Sequence, residues 1–309
     1  MPLPWSAARS RLSLLLAAGL ACAGFWWLGP IINFPDYPGH NSSLLLQPLA
    51  TAKVLAVVVA FLIIATLGTL LAGRVRYDAG WAWAAVSLYA LRLRGGPIGS
   101  TIADQPPRVF LVLALELILL ALVLGITWTA LHRLRERGTA FKTLRRFLEL
   151  PEATMRLADR KAAAESLDQK FLAIVLCAAT MAVFIMILCR TGERAQVFFS
   201  VGISAYLAVW ITHAFIPTRP AIWFWSGPIL CGLVGYLWAW SNTSPSQLAI
   251  HDVGGFLAPL ARPLPLDYAS IGVGAAVWRY VQSRTHQLHA VIEAQRNEAA
   301  PAASAAAQV

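Results

Sequence analysis

Glu116 is the residue of this chain with the most chemistry to offer. It stands alone in the apolar run Val112–Leu119. A charge at bilayer depth costs about 3 kcal/mol or more, so ionisable groups there default to functional hypotheses. Lys53 is the second such group. At 1.5 Å per helical residue, Glu116 falls about 10 Å and Lys53 about 6 Å below the same boundary. The two can meet, so a structural Lys53–Glu116 ion pair is the leading expectation. An ion-coupling carboxylate and a neutral Glu116 facing another helix are the alternatives.

His213 could shuttle protons near neutral pH, and its bland role is to face headgroups or bond a carbonyl. Arg279 reads as a cation reaching for headgroups. His251-Asp252 could begin a metal or hydrolytic site, but nothing in the neighbouring sequence completes one. No HExxH, GxSxG or GxxxxGK[ST] pattern occurs, so zinc, serine-nucleophile and P-loop chemistry have no sequence support. No metal site, cofactor or catalytic residue is assigned. Trp223-Phe224-Trp225 would suit a quinone or haem cradle, yet an interfacial aromatic belt explains it more simply. Cys22, Cys177, Cys189 and Cys231 all lie in or beside apolar runs and read as packing residues.

The elements that must position these groups are long and apolar. Leu12–Ile32, Leu49–Leu71, Val109–Leu131, Phe171–Cys189, Val197–Ile216 and Ala221–Trp240 each run about 19–23 residues, the length that crosses roughly 30 Å of hydrocarbon as a helix. Ala79–Leu91 and Tyr268–Val281 are shorter candidates. Composition agrees: of 309 residues, 58% are hydrophobic and 13% charged, about half the charge of a soluble domain. The expectation is an all-α, polytopic helix bundle with about eight transmembrane helices.

Its domains would be a first four-span half (1–132), a basic cytoplasmic loop (133–170), a second four-span half (171–284) and a largely disordered cytoplasmic tail (285–309). The net charge of +10 suggests nucleic acid less than anionic lipid headgroups, because the basic residues cluster between spans. Arg9, Arg11, Arg74, Arg76, Arg219, Arg284, Arg296 and the group from Arg133 to Lys170 fall on one side. Arg92, Arg94, Arg108, Arg190, Arg194 and Arg262 fall on the other. The positive-inside rule then places both termini in the cytoplasm. The alternative of a cleaved leader ending near Ala21-Cys22-Ala23 is disfavoured, because the apolar run continues to Ile32.

In the basic loop, Phe141, Leu144, Phe147, Leu148 and Leu150 share one helical face, opposite Lys142, Arg145 and Arg146. Such a helix lies in the headgroup plane or docks a cytosolic partner. Asn33–Gln47 and Ser241–Asp267 read as irregular outer loops rich in Pro and Gly. Ser270, Gly272, Gly274 and Ala276 give a small-residue face for helix packing, and Gly227-Pro228 interrupts its helix. Arg outnumbers Lys 21 to 4, a bias that points to a GC-rich bacterial genome, and the apolar spans then place the chain in a bacterial inner membrane. The functional expectation is a non-catalytic membrane subunit or scaffold. An ion-coupled transporter using Glu116 is the alternative, and an enzyme ranks last.

Overall fold

The structure is a computed structural model, described here over residues 5–32, 43–46, 50–72, 77–93, 102, 105–137, 166–218, 220–249, 253 and 255–284. Among these residues every regular element is helical and none is a strand. The elements are α1 (Trp5–Ile32), α2 (Ala50–Ala72), α3 (Tyr77–Ser87) with its short continuation α4 (Tyr89–Arg92), α5 (Val109–Arg137), α6 (Leu167–Leu188), α7 (Arg194–Phe215) and α8 (Ile222–Asn242). Two short helices follow, α9 (Pro245–Ala249) and α10 (Ala258–Ala261). The last element, α11, joins Pro265–Asp267, a π-helical turn Tyr268–Gly272 and helix 273–284. The amphipathic segment at 141–150, His251-Asp252 and the tail after 284 lie outside the described residues.

Five of these helices are long and apolar enough to cross a membrane: Ala50–Thr69, Val109–Arg133, Leu167–Leu188, Arg194–Phe215 and Ile222–Asn242. Shorter apolar helices run over Ala18–Gly29 and Gly80–Leu91. Their outward faces carry large apolar side chains, among them Leu55, Ile63, Leu115, Ile126, Phe171 and Phe199, all exposed. Water would penalise that surface, and lipid does not. The chain therefore has the build of an integral membrane protein.

Burial ranks the helices. Over its apolar window α8 is 56% buried, against 22% for α2, so α8 is central and α2 peripheral. α11 is enclosed further still, with every residue from Leu264 to Gly274 buried. A helix surrounded on all sides needs small residues wherever a neighbour crosses closely. A Cβ added at Gly272 would meet Pro228 of α8 at 3.1 Å and Val201 of α7 at 3.3 Å, and one at Gly274 would meet Val86 Cγ2 of α3 at 2.1 Å. Ser270 and Ala276 are buried as well, so all four residues of the small-residue face lie inside the bundle.

Segment 255–267 departs from the irregular outer loop expected of it. It folds back into the bundle until the Leu260 carbonyl would touch a Cβ on Gly235 at 2.5 Å. Gly235 lies about two turns before the end of α8, so the fold-back descends about 10 Å past that end. Non-helical backbone at this depth must find partners within the protein. Tyr268 Oη donates to the Leu260 carbonyl at 2.7 Å, and Tyr236 Oη to the Pro263 carbonyl. The Leu264 N–H donates to Asp267 Oδ2 at 2.7 Å. Arg262 reaches across to the Cys189 carbonyl at 2.8 Å, where the last turn of α6 leaves acceptors open.

Side-chain contacts sort the helix ends into two levels. At one end Arg194 donates to the Leu93 carbonyl at 2.7 Å and Arg262 caps α6. At the other, Trp81 meets Trp225 with ring centroids 5.6 Å apart, Trp83 meets Trp278 at 5.7 Å, and Tyr206 Oη donates to Gln282 at 2.8 Å.

Gly274→Ala should cost about 1–3 kcal/mol, because the β-branched Val86 has little freedom to move aside. Gly19→Ala, where an added Cβ meets nothing within 4 Å, should leave stability unchanged. Thermal melts of both variants in detergent check the contrast.

Candidate functional site

α5 presents Leu113, Leu117, Leu120 and Leu124 inward and Leu115, Ile118, Leu122 and Ile126 outward. Glu116 sits between Leu113 and Leu120 on the inward face, spaced as helical neighbours are. It is 1% exposed. Segment 43–46 closes over it. Ser43 Oγ and the Leu45 N–H, the latter at 3.2 Å, both donate to Oε2. Oε1 is buried and has no hydrogen-bond partner among the described residues.

Lys53 is not among the partners of Glu116, which corrects the expected ion pair. Lys53 is buried in the first turn of α2. Segment 43–46, read from sequence as part of an outer loop, supplies the donors instead. A signal for this was present in Leu44-Leu45-Leu46: three consecutive leucines in a loop imply that the loop is buried. Their placement brings the Ser43 hydroxyl and one backbone N–H to the carboxylate.

A cavity of about 20 Å³ adjoins Glu116, walled by Leu44, Val57, Phe61, Leu88 and Leu120 among others. That space admits one water, but a stable buried water needs two to four polar partners. Among the described residues, Glu116 is the only charged or polar side chain in the lining. The described walls of the gap beside the bonded carboxyl are otherwise apolar.

His213 and Arg279 lie at the far level, along the seam of α7 and α11. His213 Nδ1 is 2.8 Å from Ser283 Oγ, and its ring packs against Phe224 at 5.2 Å and Tyr280 at 5.6 Å. One imidazole thereby ties α7 to both α8 and α11. The Arg279 guanidinium lies 5.4 Å from the Tyr206 ring centroid and 5.7 Å from that of Trp210, within cation–π range. The four candidate polar residues thus form no common site: Glu116 and Lys53 belong to one level, His213 and Arg279 to the other. Of the aromatic triplet, Phe224 and Trp225 are buried and pack at a tilt against Tyr280 and Trp81. No group of three metal-ligating side chains occurs among the described residues.

Pro228 shows how a cysteine is used. Proline removes the N–H that would bond the carbonyl four residues earlier, here that of Phe224. Cys177 Sγ donates to that carbonyl at 3.6 Å. Gly227 makes room, since a Cβ there would meet Cys177 Sγ at 2.7 Å.

Comparison with family models, with characterised proteins and with solved structures finds no match for this chain.

Glu116→Ala strands the Ser43 hydroxyl and the Leu45 N–H and should destabilise the fold by about 2 kcal/mol or more. Glu116→Gln keeps an acceptor oxygen at the same place and should cost less than half as much. Ser43→Ala should cost about 1 kcal/mol. Comparative unfolding in one detergent measures all three.

Proposed function

We propose that this chain is a non-catalytic membrane subunit or scaffold of a bacterial inner membrane. It crosses the bilayer eight times, with both termini and segment 133–170 in the cytoplasm. The observation that carries this reading is the bonding of Glu116: its carboxylate joins α5 to segment 43–46 inside an apolar wall. The strongest intramembrane charge acts as a structural latch. The two levels of helix ends support eight antiparallel passes, and the clustering of basic residues supports the orientation. The basic amphipathic pattern at 141–150 supplies a surface for anionic lipid and for a cytosolic protein partner.

One observation favours the second reading, an ion-coupled transporter. Glu116 Oε1 lacks a partner among the described residues, and an unsatisfied carboxylate oxygen is what a translocated cation or proton would seek. The two readings separate on Glu116→Gln, which leaves a scaffold folded and fully assembled with its partner but abolishes coupled uptake into proteoliposomes.

Orientation has its own test. In a background with Cys22, Cys189 and Cys231 changed to Ala and Cys177 to Ser, a membrane-impermeant maleimide should label Ser246→Cys in intact spheroplasts. It should label Ala163→Cys only after lysis. The reverse pattern overturns the orientation and with it the cytoplasmic docking surface.

A further inference from the structure

We infer that the groove between α3, α7 and α11 holds one acyl chain of an anionic phospholipid, with Arg279 at the phosphate. The groove encloses about 570 Å³, within the roughly 300–1,000 Å³ range of ligand sites. Small residues floor it, Gly202, Gly274 and Ala275, and Trp83, Phe198 and Trp278 wall it. Its one hydroxyl, on Tyr206, is turned to Gln282, so the lining offers nothing to water and suits hydrocarbon.

From Phe198 to Leu207 the groove follows α7 for about 13 Å and lies open along one side, where a chain can enter from the bilayer.

Charge selects the headgroup. The Arg279 guanidinium is held against the Tyr206 and Trp210 rings, and Tyr206 lines the groove. α7 carries no acidic residue, and Asp267 of α11 lies toward the opposite end. The Trp83–Trp278 pair beside it marks the depth at which indoles meet headgroups. A phosphate would give the guanidinium the acceptor geometry it is built for.

The site rests on the membrane reading above but not on its orientation, because the two leaflets of a nanodisc are alike. The probe is the full chain in nanodiscs of equimolar phosphatidylglycerol and phosphatidylcholine, with retained lipid counted by native mass spectrometry after release. The wild type should keep one phosphatidylglycerol in preference to phosphatidylcholine. Arg279→Gln should cut that preference about fivefold, while Ala275→Phe, which fills the groove, should abolish retention of either lipid. Melting curves confirm that both variants are folded. Equal retention of the two lipids by the wild type, or retention unchanged in both variants, overturns the proposal, since surface lipid behaves so. A dimer in the wild type that Ala275→Phe dissolves also overturns it, by making a second copy the occupant.

Discussion

Lipid offers no hydrogen bonds, and that single constraint organises the whole bundle. At several described places where the backbone leaves the helical pattern, a side chain bonds it. The fold-back at 255–264 breaks the ladder, and Tyr236, Tyr268, Asp267 and Arg262 answer its carbonyls, its N–H and the end of α6. Pro228 frees a carbonyl, and Cys177 takes it. In the π-helical turn, Ser270 Oγ donates to the Leu266 carbonyl. Glu116 performs the same service for segment 43–46, accepting from a backbone N–H and a hydroxyl. Several polar residues are thus placed where the backbone is irregular, while Thr66, Thr127 and Ser226 bond carbonyls of their own regular helices.

The same constraint explains the short last helix. A segment that must cross lipid alone needs about 20 residues. α11 begins inside the bundle, below the fold-back, and is wrapped by α3, α5, α7 and α8. Length is therefore not demanded of it, and closeness is. Its Ser, Gly and Ala positions let neighbouring helices approach, and the approach is tight enough that a single methyl at Gly274 would collide with Val86. Packing of this kind replaces hydrophobic driving force, which is absent between helices already in an apolar solvent.

Most of the helices were legible as runs of apolar residues, because length and hydropathy are local properties. The helices long enough to cross fall where Leu49–Leu71, Val109–Leu131, Phe171–Cys189, Val197–Ile216 and Ala221–Trp240 place them. The loops were less legible. Pro and Gly in Ser241–Asp267 signal turns but say nothing of whether the turns face solvent or bundle. That depends on Tyr236 and Tyr268, whose hydroxyls meet the loop from the two helices that flank it. Depth arithmetic brought Lys53 and Glu116 to one level, but rise per residue carries no azimuth. Two residues at similar depth meet only if their helix faces turn toward each other, and nothing local to either residue encodes that. Segment 43–46 occupies the place at Glu116 Oε2 that the pairing assigned to Lys53.

A carboxylate in a membrane helix invites a transport reading, and the balance of its contacts decides how far that reading extends. Hydrogen bonds are worth about 1 kcal/mol each and more to a charged group, and Glu116 accepts from Ser43 and Leu45 through one oxygen. Together they offset much of the roughly 3 kcal/mol cost of placing an acidic residue at depth. They also hold a loop that would otherwise expose unsatisfied backbone. A coupling site works on the opposite principle: its carboxylate must exchange partners during the cycle, so its contacts must be weak or hydrated in one state. Here the donors come from the chain itself, and the described wall of the neighbouring gap is leucine, valine and phenylalanine. Breaking this arrangement to carry an ion would release segment 43–46 at each turnover. Energetics of that kind belong to a latch, and they make the scaffold reading the stronger of the two.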